Sequence, residues 1–467
     1  MKHSVFGVLA RASAILLVAA LTLPLALSGC AEGRSEKEDG PRAEPATGNP
    51  SALFEPAMKG DVLPTLTVTT DNGLPVRTTS DKAVTVSLSG AYYDEYDFTD
   101  LHGVIKCRGN STLRLEKKSF RLKFDKKINL LGQGGGKAKS WVLLAEHGDE
   151  SLLRNHVAFA MGHRLDAIDF VTSSSFVRLI LNGEDMGVYH LTEQHQAGKY
   201  RIQVDEDPDE TDTDYLVEWD AWQKGDVINP PTGFTLGNKE FVIRNETMNM
   251  DKFMFVLKTF TAVDKAVRSG DREKIGELID LPSFVDMYLL HEITMNVDVG
   301  WSSFFLVKKA GGKLYCDCPW DFDLALGNDP RVYDGEPEGL YVGDPETLFG
   351  RRELGNPNEW FIYLMMQEWF VDMVADRWNE VKDDLREAAI GEIDRIDSVF
   401  GEQMAANFDV WPILGTRVLQ EPAKIVRLTS YGEHVEYLRD WLERRFDWLD
   451  GYFSDPETRY RSTEWKE

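Results

Sequence analysis

Three carboxylates near the middle of the chain have the types and spacing to carry out chemistry together. Asp298 follows a strongly apolar run, and Asp321 and Asp323 lie further on, behind a predicted β-hairpin. A hairpin returns the chain to its starting edge, so it can bring the three side chains together. In phosphoryl-transfer sites one carboxylate orients the attacking hydroxyl and another holds Mg²⁺ on the phosphates. The pattern therefore predicts a phosphoryl-transfer centre.

A polar turn earlier in the chain is the candidate phosphate cover. It has the sequence Arg108-Gly109-Asn110-Ser111-Thr112. Because it contains one glycine and is not a glycine-rich loop, its backbone amides alone would cradle phosphate poorly. The Arg108 guanidinium and the hydroxyls of Ser111 and Thr112 could supply the missing interactions.

The strand that follows, KSFRLKF, offers three cations to neutralise phosphate charge. Lys118 shares a strand face with Phe120 and Leu122, whereas Arg121 and Lys123 share the other face. A lysine in register with an apolar face is expected to point inward, which favours Lys118 over its two rivals. A solvated basic strand at a sheet edge is the alternative interpretation.

Two further side chains are candidates because of their positions in predicted elements. Arg154 lies on a helix predicted over residues 150–165, from which it could pair with an aspartate or a phosphate. Glu193 lies near the end of the predicted strand GVYHLTEQ, where a hinge would meet a nucleotide base. Purely structural roles are the alternative for both side chains.

The elements that must position these groups divide the chain into two halves. Residues 62–249 are rich in alternating strand patterns and include a tight hairpin signal at Asn182-Gly183. Residues 250–467 are predicted to be mainly helical. The helical patterns cover residues 250–268, 271–279 and 282–296, with long amphipathic stretches within 358–400 and 430–452. The chain is therefore predicted to have an α+β fold.

The N-terminus predicts export and lipid anchoring. A short basic region and an apolar stretch end in Leu27-Ser28-Gly29-Cys30, which is typical of a bacterial lipoprotein signal over residues 1–29. Cys30 would then become the lipidated first residue, on the outer face of the cytoplasmic membrane. Residues 30–61 are mostly small, charged and proline-containing, which predicts a flexible linker. A plain transmembrane anchor is the alternative, although the apolar run is short for a span.

The 467-residue chain has a formal net charge of −26. Such acidity argues against nucleic acid as a partner and against direct docking on an anionic membrane. It favours either a basic substrate or simple solubility outside the cell.

The three cysteines besides Cys30 leave two interpretations open. Cys316 and Cys318 lie two apart on a predicted strand, so they face the same side and cannot readily bridge each other. One of them could bridge Cys107 in an exported protein. Three small buried residues are the equal alternative, and a zinc site is not expected because no matching Cys or His pair is present.

Taken together, the motifs resemble those of the CotH kinase family, the atypical protein kinases related to spore-coat protein H. Their order and spacing are similar to the family from about residue 62 to about residue 450. The matching pieces are Arg108-Gly109-Asn110-Ser111, Lys117-Lys118-Ser119-Phe120-Arg121-Leu122-Lys123, Leu152-Leu153-Arg154-Asn155, Leu181-Asn182-Gly183, Gly187-Val188-Tyr189, Thr192-Glu193, Tyr215-Leu216-Val217-Glu218, Asn296 with Asp298, and Pro319-Trp320-Asp321-Phe322-Asp323-Leu324.

The resemblance implies an atypical, bilobal kinase-like fold with a β-rich N-terminal lobe over residues 62–249 and a helical C-terminal lobe over 250–467. It also implies ATP, Mg²⁺ or Mn²⁺, and phosphate transfer to Ser or Thr of secreted or surface proteins. By this resemblance Asp298 is the catalytic aspartate and Asp321 the metal-binding one. Asp323, two residues along, is a second metal ligand or a structural partner.

One position departs from the pattern of protein kinases. They place an asparagine five residues after the catalytic aspartate to hold a second metal, and this position here is Ser303. Serine is a poorer Mg²⁺ ligand, so the site would use one metal, or Asp323 would replace the asparagine. A non-catalytic surface lipoprotein that binds an envelope partner or polymer is therefore the alternative function.

Overall fold

A computed structural model describes residues 59–221, 230–350 and 355–465. All of these residues fall in one unit, Ala46–Glu467. The predicted signal peptide, Cys30 and most of the predicted linker lie outside the described residues, so they stay predictions. Within the described ranges, no helix is both long enough and apolar enough to cross a bilayer.

The first part of the chain forms a closed barrel in the strand order β1-β2-β3-β4-β5-β7-β6. Neighbouring strands pair antiparallel except β1 and β6, which pair parallel. The strands are β1 Thr65–Thr70, β2 Lys82–Ser89, β3 Phe98–Arg108, β4 Ser119–Ile128, β5 Ala138–Leu144, β6 Ser174–Leu181 and β7 Glu184–Glu193.

The two faces of the barrel wall pack against different hydrophobic cores. Phe120, Leu122 and Phe124 of β4 belong to the barrel interior. Val142 of β5 and Phe176 of β6 belong instead to the larger core, which contains the helices. Because side chains alternate along a strand, one face of β5 and of β6 fills the barrel and the other packs against the core that contains the helices.

A second, five-stranded sheet has the order β12-β11-β8-β10-β9, with antiparallel pairing throughout. Its strands are β8 Tyr215–Trp219, β9 Gly233–Leu236, β10 Lys239–Ile243, β11 Phe304–Lys308 and β12 Leu314–Asp317. It joins strands from both sides of residue 250. The lobe boundary at residues 249 and 250 therefore separates strands of one sheet, and it stays a prediction.

Helices dominate the second part of the chain, so the predicted α+β character, with a β-rich first and a helical second region, is confirmed. The long pattern within 358–400 is divided between α6 and α7. The helices are α1 Arg154–Gly162, α2 Met250–Ser269, α3 Arg272–Leu278, α4 Leu281–Thr294, α5 Pro345–Phe349, α6 Glu359–Met365, α7 Glu368–Ala405, α8 Asn407–Val410, α9 Ala423–Val426, α10 Tyr431–Ser454 and α11 Pro456–Arg459.

Two local predictions can be compared directly with the structure. Asn182 and Gly183 have φ values of 53° and 83° and join β6 to β7, as expected for a two-residue hairpin turn. Cys107, Cys316 and Cys318 are buried and free. Of the two interpretations of the cysteines, the structure has the three small buried residues and no disulfide among them.

A fully buried ion pair connects α4, α10 and the loop that leads to α5. Arg445 donates to Glu292 Oε1 at 2.7 Å, and both side chains are 0% exposed. The same arginine donates to the carbonyls of Pro337 and Gly339 at 2.7 and 2.6 Å. Glu292 also accepts from the amide of Tyr341 at 2.8 Å. Two helices and one long loop therefore depend on a single pair of charges.

Replacing Arg445 by Met tests this dependence. The variant leaves the Glu292 carboxylate buried without its cation, so we expect the free energy of unfolding to fall by about 3–5 kcal/mol. The matched control is Arg386→Met, which removes an exposed pair with Asp447 and should cost less than about 1 kcal/mol. Urea unfolding monitored by circular dichroism measures both, and equal losses would contradict the prediction.

Candidate active site

A cleft of about 650 Å³ opens where the ends of β3 and β5 meet the segments after α4 and β12. Predicted site residues from both halves of the chain line it. They are Arg108, Asn110, Ser111, Asp298, Ser303, Asp321 and Asp323. The hairpin of β11 and β12 does bring the three aspartates to one cleft, as the spacing predicted.

The Asp298 carboxylate is held in one orientation. Helix α4 ends at Thr294, and the Asn296 side chain accepts from the Asp298 amide at 3.2 Å. Arg331 donates to Asp298 Oδ1 at 2.9 Å and to Oδ2 at 3.1 Å, and Asn356 donates to Oδ1 at 2.6 Å. The Asp298 side chain is still 28% exposed. Oδ2, with one donor, keeps room to accept another hydrogen bond.

Asp321 lies open to the cleft, yet it is surrounded by protein. This partial desolvation raises its pKa, and the nearby charge of Arg108 and a hydrogen bond from Ser303 oppose the rise. Ser303 Oγ donates to Asp321 Oδ2 at 3.1 Å. Both residues have left-handed backbone, with φ of 62° for Ser303 and 71° for Asp321. Strained non-glycine backbone costs about 1–3 kcal/mol per residue and is concentrated at functional sites.

Asp323 lies close enough to Asp321 for each carboxyl group to shift the pKa of the other. Burial raises the pKa of Asp323 well above its usual range, and the charge of Asp321 raises it further. Neighbouring carboxylates repel each other when both are ionised, so they hold a proton until a cation replaces it. In the part of the chain that the structure describes, no group of three or more His, Cys, Asp or Glu side chains could hold a metal ion.

The polar turn before β4 adopts a shape that requires its glycine. Gly109 has a φ of 111°, and a Cβ there would lie 2.0 Å from Thr112 Oγ1. Residues Ser111–Arg114 form a short 3₁₀ helix after it. The Arg108 guanidinium lies 5.5 Å from the centroid of the Trp320 ring, just before Asp321 in the chain. The turn thus brings one cation close enough to Asp321 for the two charges to interact.

The lysine that lines the cleft is Lys117, which sequence reasoning did not select. It is buried, and its Nζ donates to Asn407 Oδ1 at 2.9 Å. Lys118 does not line the cleft, and its Nζ donates to the carbonyl oxygens of Leu113, at 2.7 Å, and Leu115. The apolar face of β4 fills the barrel interior, so the cleft lies on the opposite face. The strand pattern favoured Lys118, but the lysine that lines the cleft is its neighbour, Lys117.

The remaining predicted nucleotide-binding residues do not line the cleft. Arg121 and Lys123 lie on the outer face of β4, half-buried and exposed respectively. Arg154 forms a fully buried ion pair with Asp149. Glu193 is buried, pairs with Arg201 and accepts from the Ser173 amide at 2.9 Å. These contacts give Arg154 and Glu193 structural partners within the fold.

Glu146 is a cleft residue that sequence reasoning missed. Burial raises the pKa of Glu146 to about 8, and the charge of Asp149 adds to the rise. Asn155 donates to both Glu146 oxygens at 3.1 and 3.2 Å and accepts from the Phe322 amide at 2.8 Å. Burial also lowers the pKa of Lys117 to about 7. The only sequence signal is the polar run AEHGDE directly after an apolar strand.

Comparison with known proteins gives the chain a family. A family model described as CotH kinase protein matches residues 105–449, which is more than half of the chain. The chain belongs to the CotH kinase family. No curated protein matches it significantly. The matched range starts within β3 and ends within α10, so every residue that lines the cleft of this CotH kinase family member lies inside it.

Replacing Glu146 by Gln tests the electrostatics of the cleft. The folded pKa of about 8 exceeds the ordinary value of 4.5, so the native state holds a proton that the unfolded chain releases. Stability from this group is therefore complete below about pH 4.5 and is lost as the pH rises to about 8. We expect the melting temperature of Glu146→Gln to fall less over this range than that of the wild type.

Differential scanning calorimetry at several pH values makes the comparison. Glu402→Gln, at an exposed position on α7, is the matched control and should follow the wild-type curve. A Glu146→Gln curve parallel to the wild type would show that the carboxyl is already ionised in the folded protein.

Proposed function

We propose that this protein is an ATP-dependent kinase that transfers phosphate to Ser or Thr of secreted or surface proteins. Membership of the CotH kinase family suggests a kinase-like protein. The observation that carries the proposal is the convergence of Asp298, Asp321 and Asp323 with Arg108 and Lys117 in one cleft. The barrel and the helical region on either side of it are consistent with a bilobal, kinase-like arrangement.

Asp298 is the group that would orient the acceptor hydroxyl. Arg331 and Asn356 occupy the hydrogen-bonding positions of Oδ1, and Arg331 takes one position on Oδ2. Oδ2 is then the atom that accepts the hydroxyl hydrogen and receives the proton as the oxygen attacks phosphorus. The bidentate arginine fixes the plane of the carboxylate, so little reorientation is needed at the moment of reaction.

The donor set fits a hard divalent cation such as Mg²⁺ or Mn²⁺. Such ions are commonly held by one or two carboxylates, with phosphate oxygens and water completing the shell, so two aspartates suffice. Asp321 and Asp323 would hold it, and Ser303 contacts Asp321 directly. When bound, the ion would neutralise charge on the phosphates. Arg108 and Lys117 are the protein cations that can contact the remaining phosphate oxygens.

The proposed setting is extracytoplasmic. The signal-like residues 1–29 and the lipobox cysteine Cys30 support a lipid anchor on the outer face of the bacterial cytoplasmic membrane. The net charge of −26 supports protein and not nucleic acid as the partner. This assignment would be contradicted if mass spectrometry showed that the protein isolated from cells retains the leader, residues 1–29.

A phosphoryl-transfer assay with the full-length protein in detergent tests the activity. Labelled ATP, Mg²⁺ or Mn²⁺ and a Ser/Thr-rich acceptor are incubated with wild type, Asp298→Asn or Asp321→Asn. We expect each variant to lose at least about 10²-fold in rate, because each removes a group used in the transition state. Full activity in either variant would exclude that aspartate from the reaction.

Lys117→Met and Lys118→Met form a matched pair for the phosphate-binding lysine. Lys117→Met should raise the Kd for ATP by about tenfold or more, because a charge-assisted contact is worth about 1.5–3 kcal/mol. Lys118→Met should change it little. Thermal shift with and without ATP measures both variants, and the opposite ranking would restore Lys118 as the nucleotide-facing lysine.

One observation favours a second candidate function. The Arg331 guanidinium already occupies both oxygens of the Asp298 carboxylate with hydrogen bonds, as would suit a non-catalytic protein that binds an envelope partner or polymer. The same experiments separate the two candidates. Metal-dependent stabilisation by ATP without transfer to any acceptor indicates a nucleotide-binding pseudokinase, whereas the absence of both excludes the kinase function.

A further inference from the structure

A continuous chain of hydrogen bonds runs from the cleft to the surface of α7. Glu146 Oε1 lies 2.8 Å from His190 Nδ1, and His190 Nε2 lies 2.7 Å from Ser174 Oγ. The same hydroxyl lies 2.5 Å from His156 Nδ1, and His156 Nε2 lies 2.8 Å from Glu392 Oε2. The three middle residues are buried, whereas the Glu392 side chain is 18% exposed.

The number of hydrogens in this chain is fixed by its chemistry. Four hydrogen bonds need four hydrogens, one in each. Neutral His190, the Ser174 hydroxyl and neutral His156 supply three. The fourth must be on Glu146 or on Glu392, unless one histidine becomes an imidazolium. Each choice also sets the direction of every donor in the chain and therefore the tautomer of both histidines.

The surroundings disfavour a charged histidine. Burial lowers the pKa of His190 to about 3 and also lowers the pKa of His156. Glu392 forms an ion pair with Arg395 at 2.6 Å. Burial favours the neutral form of Glu392, but hydrogen bonds from His156 and Arg395 outweigh it and lower the pKa of Glu392 to about 2.

At the cleft end of the chain of hydrogen bonds, Glu146 interacts with charged side chains from several elements. Asp149 and Asp321 raise the pKa of Glu146, and Lys117 and a hydrogen bond from Asn155 lower it. Burial exceeds all of these effects and favours the protonated form. The resting proton therefore belongs on Glu146, with both histidines protonated at Nε2.

We propose that Glu146 and Glu392 share one proton along this chain, so that a change at the surface of α7 sets the charge of the cleft. The shift starts with Glu146 Oε1 giving its hydrogen to His190 Nδ1, and His190 Nε2 gives its own to Ser174 Oγ. The hydroxyl passes its hydrogen to His156 Nδ1, and His156 Nε2 gives its hydrogen to Glu392 Oε2. The cleft gains one negative charge, the surface loses one, and no hydrogen is created or lost.

This coupling does not depend on which reaction the cleft carries out. A cation that enters the cleft stabilises ionised Glu146 and draws the proton toward Glu392. Conversely, a hydrogen-bond donor placed at residue 392 reverses the chain and leaves Glu146 as a carboxylate. Transmission in both directions passes through the single hydroxyl of Ser174.

The test is Glu392→Lys in the full-length protein labelled with ¹⁵N-histidine. The introduced ammonium group can only donate to His156 Nε2, so both histidines should change from the Nε2–H to the Nδ1–H tautomer. His190 does not contact residue 392, so its change reports transmission and not local packing. The control is Asp394→Lys, on the same helix, where Asp394 forms an ion pair with Arg439. This variant should leave both tautomers unchanged.

Ser174→Ala supplies the decisive comparison. In the Glu392→Lys background it should let His156 change while His190 keeps the Nε2–H form. Ser175→Ala removes the neighbouring buried hydroxyl, which contacts Gln133 instead, and should preserve transmission. If Glu392→Lys does not fold, the wild-type spectrum decides: opposite tautomers for His156 and His190, or an imidazolium at either one near pH 7, would overturn the proposal.

Discussion

The buried pair of Glu292 and Arg445 is the constraint on which the cleft depends. Neither side chain reaches water, so each charge is stable only while the other is in place. The pair holds the loop that contains Tyr341, whose hydroxyl donates to the Val297 carbonyl at 2.8 Å. Val297 directly precedes Asp298, so the position of the proposed catalytic carboxylate follows from an ion pair that lies outside the cleft.

The barrel imposes the second constraint, because the interior of this closed sheet is filled by side chains and is not open to a ligand. Phe120 and Leu122 fill that interior, whereas Val142 of β5 and Phe176 of β6 face outward and belong to the core that contains the helices. Cleft residues must therefore come from the outer face or from the strand ends. Arg108 and Ser119 oppose each other in the β3–β4 register, and both line the cleft.

The electrostatics of the cleft follow from crowding many acids beside few bases. Burial and mutual repulsion raise the pKa of Asp321, Asp323 and Glu146, while burial lowers the pKa of Arg108 and Lys117. Each group is thus pushed toward its neutral form in the absence of ligand. Binding of a cation together with an anion is most favourable at such a site. The cation stabilises the ionised carboxylates around it, and the anion stabilises the protonated bases.

The sequence by itself determined the α+β class, the hairpin at Asn182-Gly183, the family resemblance and the convergence of Asp298 with Asp321. These features depend on local periodicity, turn chemistry and motif order, all of which can be read directly from the sequence. Only the tertiary structure decided that Lys117 lines the cleft and Lys118 does not. Strand parity shows which residues share a face, but it does not show which face is sealed inside a closed barrel.

The sequence likewise does not show which buried charged side chains pair with each other. Arg154 and Glu193 were candidates for ligand contact because of their positions in predicted elements, and the sequence does not show which charged side chains they pair with. Folding gives Arg154 its partner Asp149 five residues away, and it brings together side chains as distant as His156 and Glu392. A buried charge must be paired or hydrogen-bonded. Only three-dimensional packing decides whether its partner comes from the protein or from a ligand.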